Sequence, residues 1–268
     1  MNKTRIEWVK NPDGTQGYTW NPITGCLNHT DGLCKGGGFP CYAYRLAHGR
    51  LEERYKANKN HAPTLVPGDG IWQIDPFYPR FWPERLTQPL ERRWCSGIFV
   101  CDMGELFGDW VPSEWQEHVF RIIRECPQHR FYLLTKQPQN LAKFSPFPAN
   151  CWVGVTMTKP DPLALECLDE VEATVRYLSL EPMLARWPEI SFEEIPADWV
   201  IIGAQTKPYK PPRIEWVKEI IEAADRAGVK VFLKDNLASS NGVPAELITA
   251  GGWDTETHWL RQEMPRGE

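Results

Sequence analysis

The sequence has no apolar run long enough to cross a bilayer. Its start, Met1 to Lys10, lacks the apolar stretch of a secretory signal. No internal repeat and no low-complexity tract stands out. Positive charge is not in excess either: the net charge is −5 and the pI about 5.8. Each absence excludes something. The first excludes a helix that spans a membrane, and the second argues for the cytoplasm. The third excludes a repeat array. The fourth excludes a general basic footprint for nucleic acid, though a local patch stays open.

What is present is a chain of 268 residues, 42% hydrophobic and 24% charged. Such a chain can bury a large core, and its length suits a single α/β barrel-type domain over 1–268. Eight cysteines are enough for four disulfides. A reducing compartment argues against that, and clustered cysteines there more often mean metal or catalysis. Thirteen Trp and 24 Pro suggest long ordered connections.

The chain reads as an alternation. A short strand precedes Cys26, and the glycine-rich stretch 26–41 is an irregular loop. Tyr42 to about Lys59 reads as one helix. Residues 60–83, rich in Pro, Gly and aromatics, look like an inserted loop, with a short helix after it at 83–92. Strands are expected at Gly97–Cys101, Phe131–Thr135, Cys151–Thr156, Val175–Leu180, Trp199–Ala204 and Val229–Leu233. Helices are expected at 113–125, with Ser113 as N-cap, at 138–143, at 162–171 and at 214–227, where Gly228 stops the last. The tail, about 235–268, is irregular. Short apolar strands alternating with helices predict a parallel sheet covered by helices. The expected fold is a partial or near-closed (β/α) barrel of about six to seven parallel strands.

In barrels the chemistry sits at the carboxyl ends of the strands. Those ends carry Cys26, Cys34 and Cys41; then Asp102, Met103, Gly104 and Glu105; Thr135 and Lys136; Thr156; Ser179 and Glu181; and Lys234 with Asp235 and Asn236. Strand ends meet solvent and are often polar, but nearly every end here is polar or ionisable.

The three loop cysteines are separated by seven and six residues. Thiolates are soft ligands for iron–sulfur clusters and for zinc. A structural zinc site usually has four ligands, often in close Cys-x-x-Cys pairs. Here His29 is the residue that could complete a zinc set. Three ligands alone leave one metal position open, as catalysis requires. Gly36, Gly37 and Gly38 let the loop wrap closely and present backbone amides to sulfur. Cys95, Cys101, Cys126, Cys151 and Cys167 lie singly on apolar elements and read as ordinary core thiols.

These residues resemble the radical S-adenosylmethionine superfamily. More closely, the chain is similar to a phage and bacterial family of three-cysteine proteins related to that superfamily. The likeness lies in Ile6-Glu7-Trp8, in Trp20-Asn21-Pro22-Ile23-Thr24-Gly25-Cys26 and in Cys41-Tyr42-Ala43. It continues through Met103-Gly104-Glu105-Leu106-Phe107, Leu134-Thr135-Lys136 and Gly154-Val155-Thr156. Leu178-Ser179-Leu180-Glu181-Pro182-Met183-Leu184 and Trp199-Val200-Ile201-Ile202-Gly203 complete it. The spacing departs from the superfamily's usual Cys-x3-Cys-x2-Cys, and the six-residue second gap also departs from the close final pair of the phage-type family.

The resemblance implies a four-iron four-sulfur cluster on Cys26, Cys34 and Cys41. It implies S-adenosylmethionine as second cofactor, cleaved by one electron to a carbon radical that abstracts hydrogen from a substrate. Gly104, Glu105, Thr135, Thr156 and Glu181 become cofactor contacts, with Glu105 placed for the methionine amino group. Glu181, Lys136 and Lys234 become catalytic candidates. A flavodoxin or ferredoxin would supply the electron. The phage-type likeness favours a nucleotide or nucleic-acid substrate by analogy alone. Arg45, Arg50, Arg54, Lys56 and Lys59, interleaved with Tyr42, Tyr44 and Tyr55, could meet a nucleic-acid backbone, but Glu52 and Glu53 dilute them and a solvated helix face is preferred. Two other classes stay open: a zinc-binding module on the trio, and a metal-independent barrel enzyme with Glu105 and Glu181 as acid and base.

Overall fold

The computed structural model describes residues 1–64, 70–187, 197–238 and 242–266. Residues 65–69 of the expected insertion, and 239–241 and 267–268 of the expected tail, lie outside the described residues. Packing divides the chain into two compact units. One comprises Met1–Arg5, Val9–Asn140 and Pro148–Cys151; the other comprises Ile6–Trp8, Leu141–Phe147 and Trp152–Glu268.

The first unit carries strands β1 (Asn2–Lys3), β2 (Tyr18–Trp20), β3 (Gly97–Val100) and β4 (Arg130–Thr135), adjacent in that order. β1 runs antiparallel to β2, and the β2–β3 and β3–β4 pairs are parallel. β3 is buried at all four positions. That continuous apolar run is what a parallel strand covered on both faces requires.

α1 (Tyr42–Ala47) and α2 (Glu52–Ala57) stand where one helix is expected. The helix breaks because Gly49 and Leu51 both donate their amides back to the Leu46 carbonyl, which tightens the turn at a residue with little helix propensity. α3 (Ser113–Glu125) buries Val119, Phe120, Ile122 and Ile123. Its cap is Pro112, not Ser113. The Pro112 carbonyl already accepts the amides of Trp115 and Gln116, so the helix begins one residue earlier. The stretches at 83–92 and 138–143 are 3-10 turns over Pro83–Arg85 and Pro138–Phe144.

The insertion is a packing element in its described part. Phe77, Tyr78, Phe81 and Trp82 are buried, and Arg80–Phe81 pairs antiparallel with Ile23–Thr24. Arg80 is 0% exposed. Its guanidinium donates to the carbonyls of Asn58 and Asp75, each at 3.0 Å, and to that of Trp72. Burial lowers its pKa, and the charge of Asp75 offsets this in part. Arg80→Met leaves three carbonyls without their donor, so a loss of about 3–5 kcal/mol in urea-unfolding stability is expected. A loss under about 1 kcal/mol, the scale of a surface change, would contradict the clamp.

The second unit carries β5 (Cys151–Thr156, from Trp152 onward), β6 (Val175–Leu180), β7 (Trp199–Ile202) and β8 (Lys230–Leu233), adjacent in chain order. The β5–β6, β6–β7 and β7–β8 pairs are parallel. α4 (Pro162–Asp169) is capped by the Asp161 carboxylate, which accepts the Ala164 amide at 3.3 Å. α5 (Ile214–Ala227) ends at Gly228, whose φ of 72° is the left-handed conformation that glycine adopts without strain. Trp8 enters this unit and packs against Tyr177 and Trp199, with ring centroids 5.9 and 6.1 Å away.

The chain is thus a mixed α/β protein, mostly parallel, with each expected strand present to within two residues. Both strand orders are linear, and no closed barrel is seen among the described residues.

Candidate functional site

Gly25 leads into the first cysteine under tight constraint. Its φ is +89°, and a Cβ there would lie 2.5 Å from the Phe77 carbonyl oxygen and 2.6 Å from that of Tyr78. The Gly25 amide donates to the Met103 carbonyl, and the Glu105 amide donates to that of Gly25. Gly104 faces the same backbone: its Cβ would lie 3.0 Å from the Gly25 nitrogen and oxygen. The Cys26 amide then donates to the Phe77 carbonyl. The insertion and the Met103–Glu105 turn therefore hold Cys26 from two sides.

The loop contains a small antiparallel ribbon, His29–Thr30 with Leu33–Cys34, where only irregular chain is expected. The Cys34 carbonyl accepts the amides of Gly37 and Gly38, and the Cys34 amide donates to Phe39. Cys41 caps α1, and its amide donates to Gly32. Ala43, Ala47, Tyr55, Phe77, Trp82 and Met103 form a buried cluster, and Cys26 and Cys41 pack against it.

Two of the three thiols, Cys26 and Cys34, are shifted upward in pKa. Burial pushes the Cys26 thiol up, and Glu105, Cys41 and Cys34 push it further, against an amide hydrogen bond from Asn28. That N–H to Sγ distance is 3.2 Å. Burial also pushes Cys34 up; Lys136 and a hydrogen bond from the Gly36 amide oppose this. All eight cysteines are free thiols. Among the described residues, no group of three or more His, Cys, Asp or Glu side chains converges tightly enough for a single metal ion.

Glu105 is buried, at 6% exposure. One carboxylate oxygen accepts from Thr135 Oγ1 at 2.7 Å and from the Phe107 amide at 3.1 Å; the other accepts from the Lys136 amide at 3.1 Å. Burial raises its pKa, and these donors hold it back. Thr135 thus serves Glu105 directly. The Lys136 ammonium lies 5.8 Å from the centre of the Phe39 ring, on the cysteine loop. Cys26, Cys34, Cys41, Gly104, Glu105, Thr135 and Lys136 are brought together in the first unit.

Thr156, Glu181 and Lys234 lie at strand ends of the second unit. Lys234 hydrogen-bonds Glu181 and lies 3.3 Å from Glu7. Burial acts to lower its pKa, but the two carboxylates outweigh it and the net shift is upward. Gly203 makes room for this pair, since a Cβ there would lie 3.0 Å from Lys234 Cδ and 3.1 Å from Glu181 Cγ. Thr156 Oγ1 is buried and has no hydrogen-bond partner among the described residues.

A family model described as "Protein of unknown function (DUF5131)" matches residues 3–243. The chain belongs to this family. No curated protein and no solved structure matches it. The DUF5131 match spans the cysteine loop, the Glu105 cradle and the Glu7–Glu181–Lys234 cluster.

Two features of this DUF5131 chain carried no assigned role in the sequence. Glu7 is one; its only signal was its place in Ile6-Glu7-Trp8. Asp102 is the other. It follows Cys101, whose φ of 58° is rare for a residue with a side chain. Asn21 Nδ2 donates to the Asp102 carboxylate at 2.6 Å, Asn21 Oδ1 accepts the Met103 amide at 2.9 Å, and the Tyr42 hydroxyl donates to the Asp102 carbonyl. Burial raises the Asp102 carboxyl to about 6, against hydrogen bonds from Asn21 and Thr19. A raised acid favours its protonated form in the fold. Its contribution is present below about pH 4 and lost as pH rises through about 6. Asp102→Asn should remove roughly 2 kcal/mol of stability loss across that window. Urea midpoints at both pH values read this out; equal pH dependence in variant and parent would contradict it.

Proposed function

We propose that this chain is an iron–sulfur, S-adenosylmethionine-dependent radical enzyme. The observation that carries this reading is the trio Cys26, Cys34 and Cys41 on one hydrogen-bonded loop, with Cys26 and Cys41 packed against the same buried cluster. The donor set fits the group. Three soft thiols leave one iron free for a second cofactor, and amides of Asn28 and Gly36 hydrogen-bond two of the sulfurs. When bound, the cluster supplies one electron to the sulfonium of S-adenosylmethionine, whose cleavage starts the hydrogen abstraction.

The chain's own residues hold and shape the site. Gly25 and the Phe77 carbonyl fix the direction in which Cys26 faces. Glu105 places a carboxylate beside the thiols, oriented by Thr135, Phe107 and Lys136. Three protein donors already occupy it, so for an incoming ammonium it offers its residual lone pairs and its charge. Lys136 supplies positive charge next to Cys34, which favours the thiolate a metal needs. Glu181 and Lys234, together with Thr156, are proposed to contact cofactor or substrate at the second unit's strand ends. A nucleotide or nucleic acid is the substrate class we favour. The partial or near-closed barrel expected from the strand alternation is part of the same proposal.

His29 supports a second reading. It lies in the same ribbon as Cys34, and its Nε2 is buried with no partner among the described residues. It would be the fourth donor of a zinc set, around which the loop side chains would have to draw closer than they stand here. Anaerobic purification followed by iron, sulfide and zinc analysis separates the two. The radical reading expects about four irons and four sulfides per chain. Stoichiometric zinc without iron, after anaerobic reconstitution, would overturn it.

A further inference from the structure

The pairing register of the second unit puts a polar centre on one face of its strands. Ser179 pairs with Thr156 on β5 and with Ile201 on β7, and Ile201 pairs with Phe232 on β8. Paired residues on neighbouring strands share a face, and so do residues two apart along a strand. Glu181, Gly203 and Lys234 stand two residues beyond Ser179, Ile201 and Phe232. The ladder reaches them, since the Gly203 amide donates to Leu180 and the Lys234 amide to Ile202. Thr156, Glu181 and Lys234 therefore lie on the same face. Tyr177 and Trp199 precede them on it, and Trp8, packed on both rings, brings Glu7 to Lys234. The charges there do not balance: one ammonium meets two carboxylates. It takes one oxygen of each, and Glu7 Oε1 and Glu181 Oε2 have no partner among the described residues. Those two side chains are 23% and 24% exposed, so a ligand can reach them. Thr156 is 8% exposed, and its hydroxyl is the unpartnered one.

We infer that this face binds a primary ammonium group of the substrate. The inference rests on the strand-end contacts proposed above and narrows what they meet. An ammonium carries one positive charge and three N–H donors. The face carries one negative charge in excess and three unfilled acceptors, on Glu7, Glu181 and Thr156. A quaternary amine matches the charge but has no N–H to give. A phosphate meets the negative excess, so any phosphate of the substrate is kept away from this end. A purely structural bridge needs only one carboxylate for one lysine. A second enclosed charge and a buried unpaired hydroxyl both cost stability unless a ligand engages them.

The test is calorimetric titration of the full chain with three primary amines: spermidine, glucosamine and the amide of Nα-acetyllysine. The amine that binds most tightly names the source of the group. N-acetylglucosamine, tetramethylammonium and inorganic phosphate are the controls, and none should bind as tightly as that amine. Glu181→Gln keeps the shape and removes the excess charge, so affinity for the amine should fall at least about tenfold, the scale of a hydrogen bond to a charged group. Glu166→Gln, at an exposed site on α4, should stay within about twofold, as a distant surface charge does. Thr156→Val should weaken the amine about threefold or more, since a charge-assisted bond is lost. Its melting temperature should not fall, because the hydroxyl has no partner in the free protein. A merely structural threonine would do the reverse, lowering the melting temperature and leaving affinity alone. Binding needs neither iron nor S-adenosylmethionine, so failure here is distinguishable from failure of the radical reading, which iron content and 5′-deoxyadenosine decide. No binding of any amine by the parent, equal affinity in parent and Glu181→Gln, or tighter binding of phosphate than of the amines would overturn the ammonium site.

Discussion

Cys34→Ala is expected to abolish iron binding, taking the chain from about four irons to nearly none. Cys34 is the most enclosed of the trio, at 7% exposure, and it sits at the centre of the loop's hydrogen bonding. Its carbonyl anchors the turn at Gly37 and Gly38, and Gly36 faces both its sulfur and the Lys136 side chain. Alanine preserves the backbone and removes only the ligand. The matched control is Cys126→Ala. That residue is fully buried yet stands apart from the trio, and the Cys126 amide donates to Ile123 at the end of α3. It should keep its iron while losing about 1 kcal/mol for a small cavity. Iron retained in the Cys34 variant, or lost equally in both, would remove the trio from the metal site.

Gly25→Ala should cost about 3 kcal/mol or more and deplete iron as well. Two effects combine. A side chain at φ +89° carries a left-handed penalty of about 1–2 kcal/mol. A Cβ 2.5 Å from the Phe77 oxygen adds an overlap of about 1–3 kcal/mol, because its neighbours are backbone and cannot swing away. The backbone must yield, and Cys26 is the next residue. Urea unfolding and iron content should therefore fall together. Parental values for both would show that the insertion does not hold the cysteine loop.

Much of the fold was legible because its strands are uniform. β3, β5 and β7 are buried at every position, so their apolar runs stand out against polar connections. α5 was legible from its apolar face and from Gly228. The break between α1 and α2 was not, since Glu52-Glu53-Arg54-Tyr55-Lys56 favours helix and one glycine does not announce a turn. The Cys26–Cys34–Cys41 trio was visible from residue type alone. Its support was hidden, because the Phe77 and Met103 carbonyls act through backbone, which any residue type supplies. Asn21 and Asp102 meet across 81 positions, and no local pattern encodes such a pair. Glu105 is legible as a strand-end carboxylate, but the three donors Thr135, Phe107 and Lys136 that hold it appear only in three dimensions. Glu105 and Glu181 fall in different units, and each has its own cationic or amide partners.

The central claim is that the trio supports radical chemistry. The most direct measurement is anaerobic incubation of the iron-loaded protein with S-adenosylmethionine and dithionite, followed by chromatography for 5′-deoxyadenosine. The account predicts its formation in the parent and its absence in Cys34→Ala. A parent protein that carries its iron and sulfide yet yields no 5′-deoxyadenosine would contradict it.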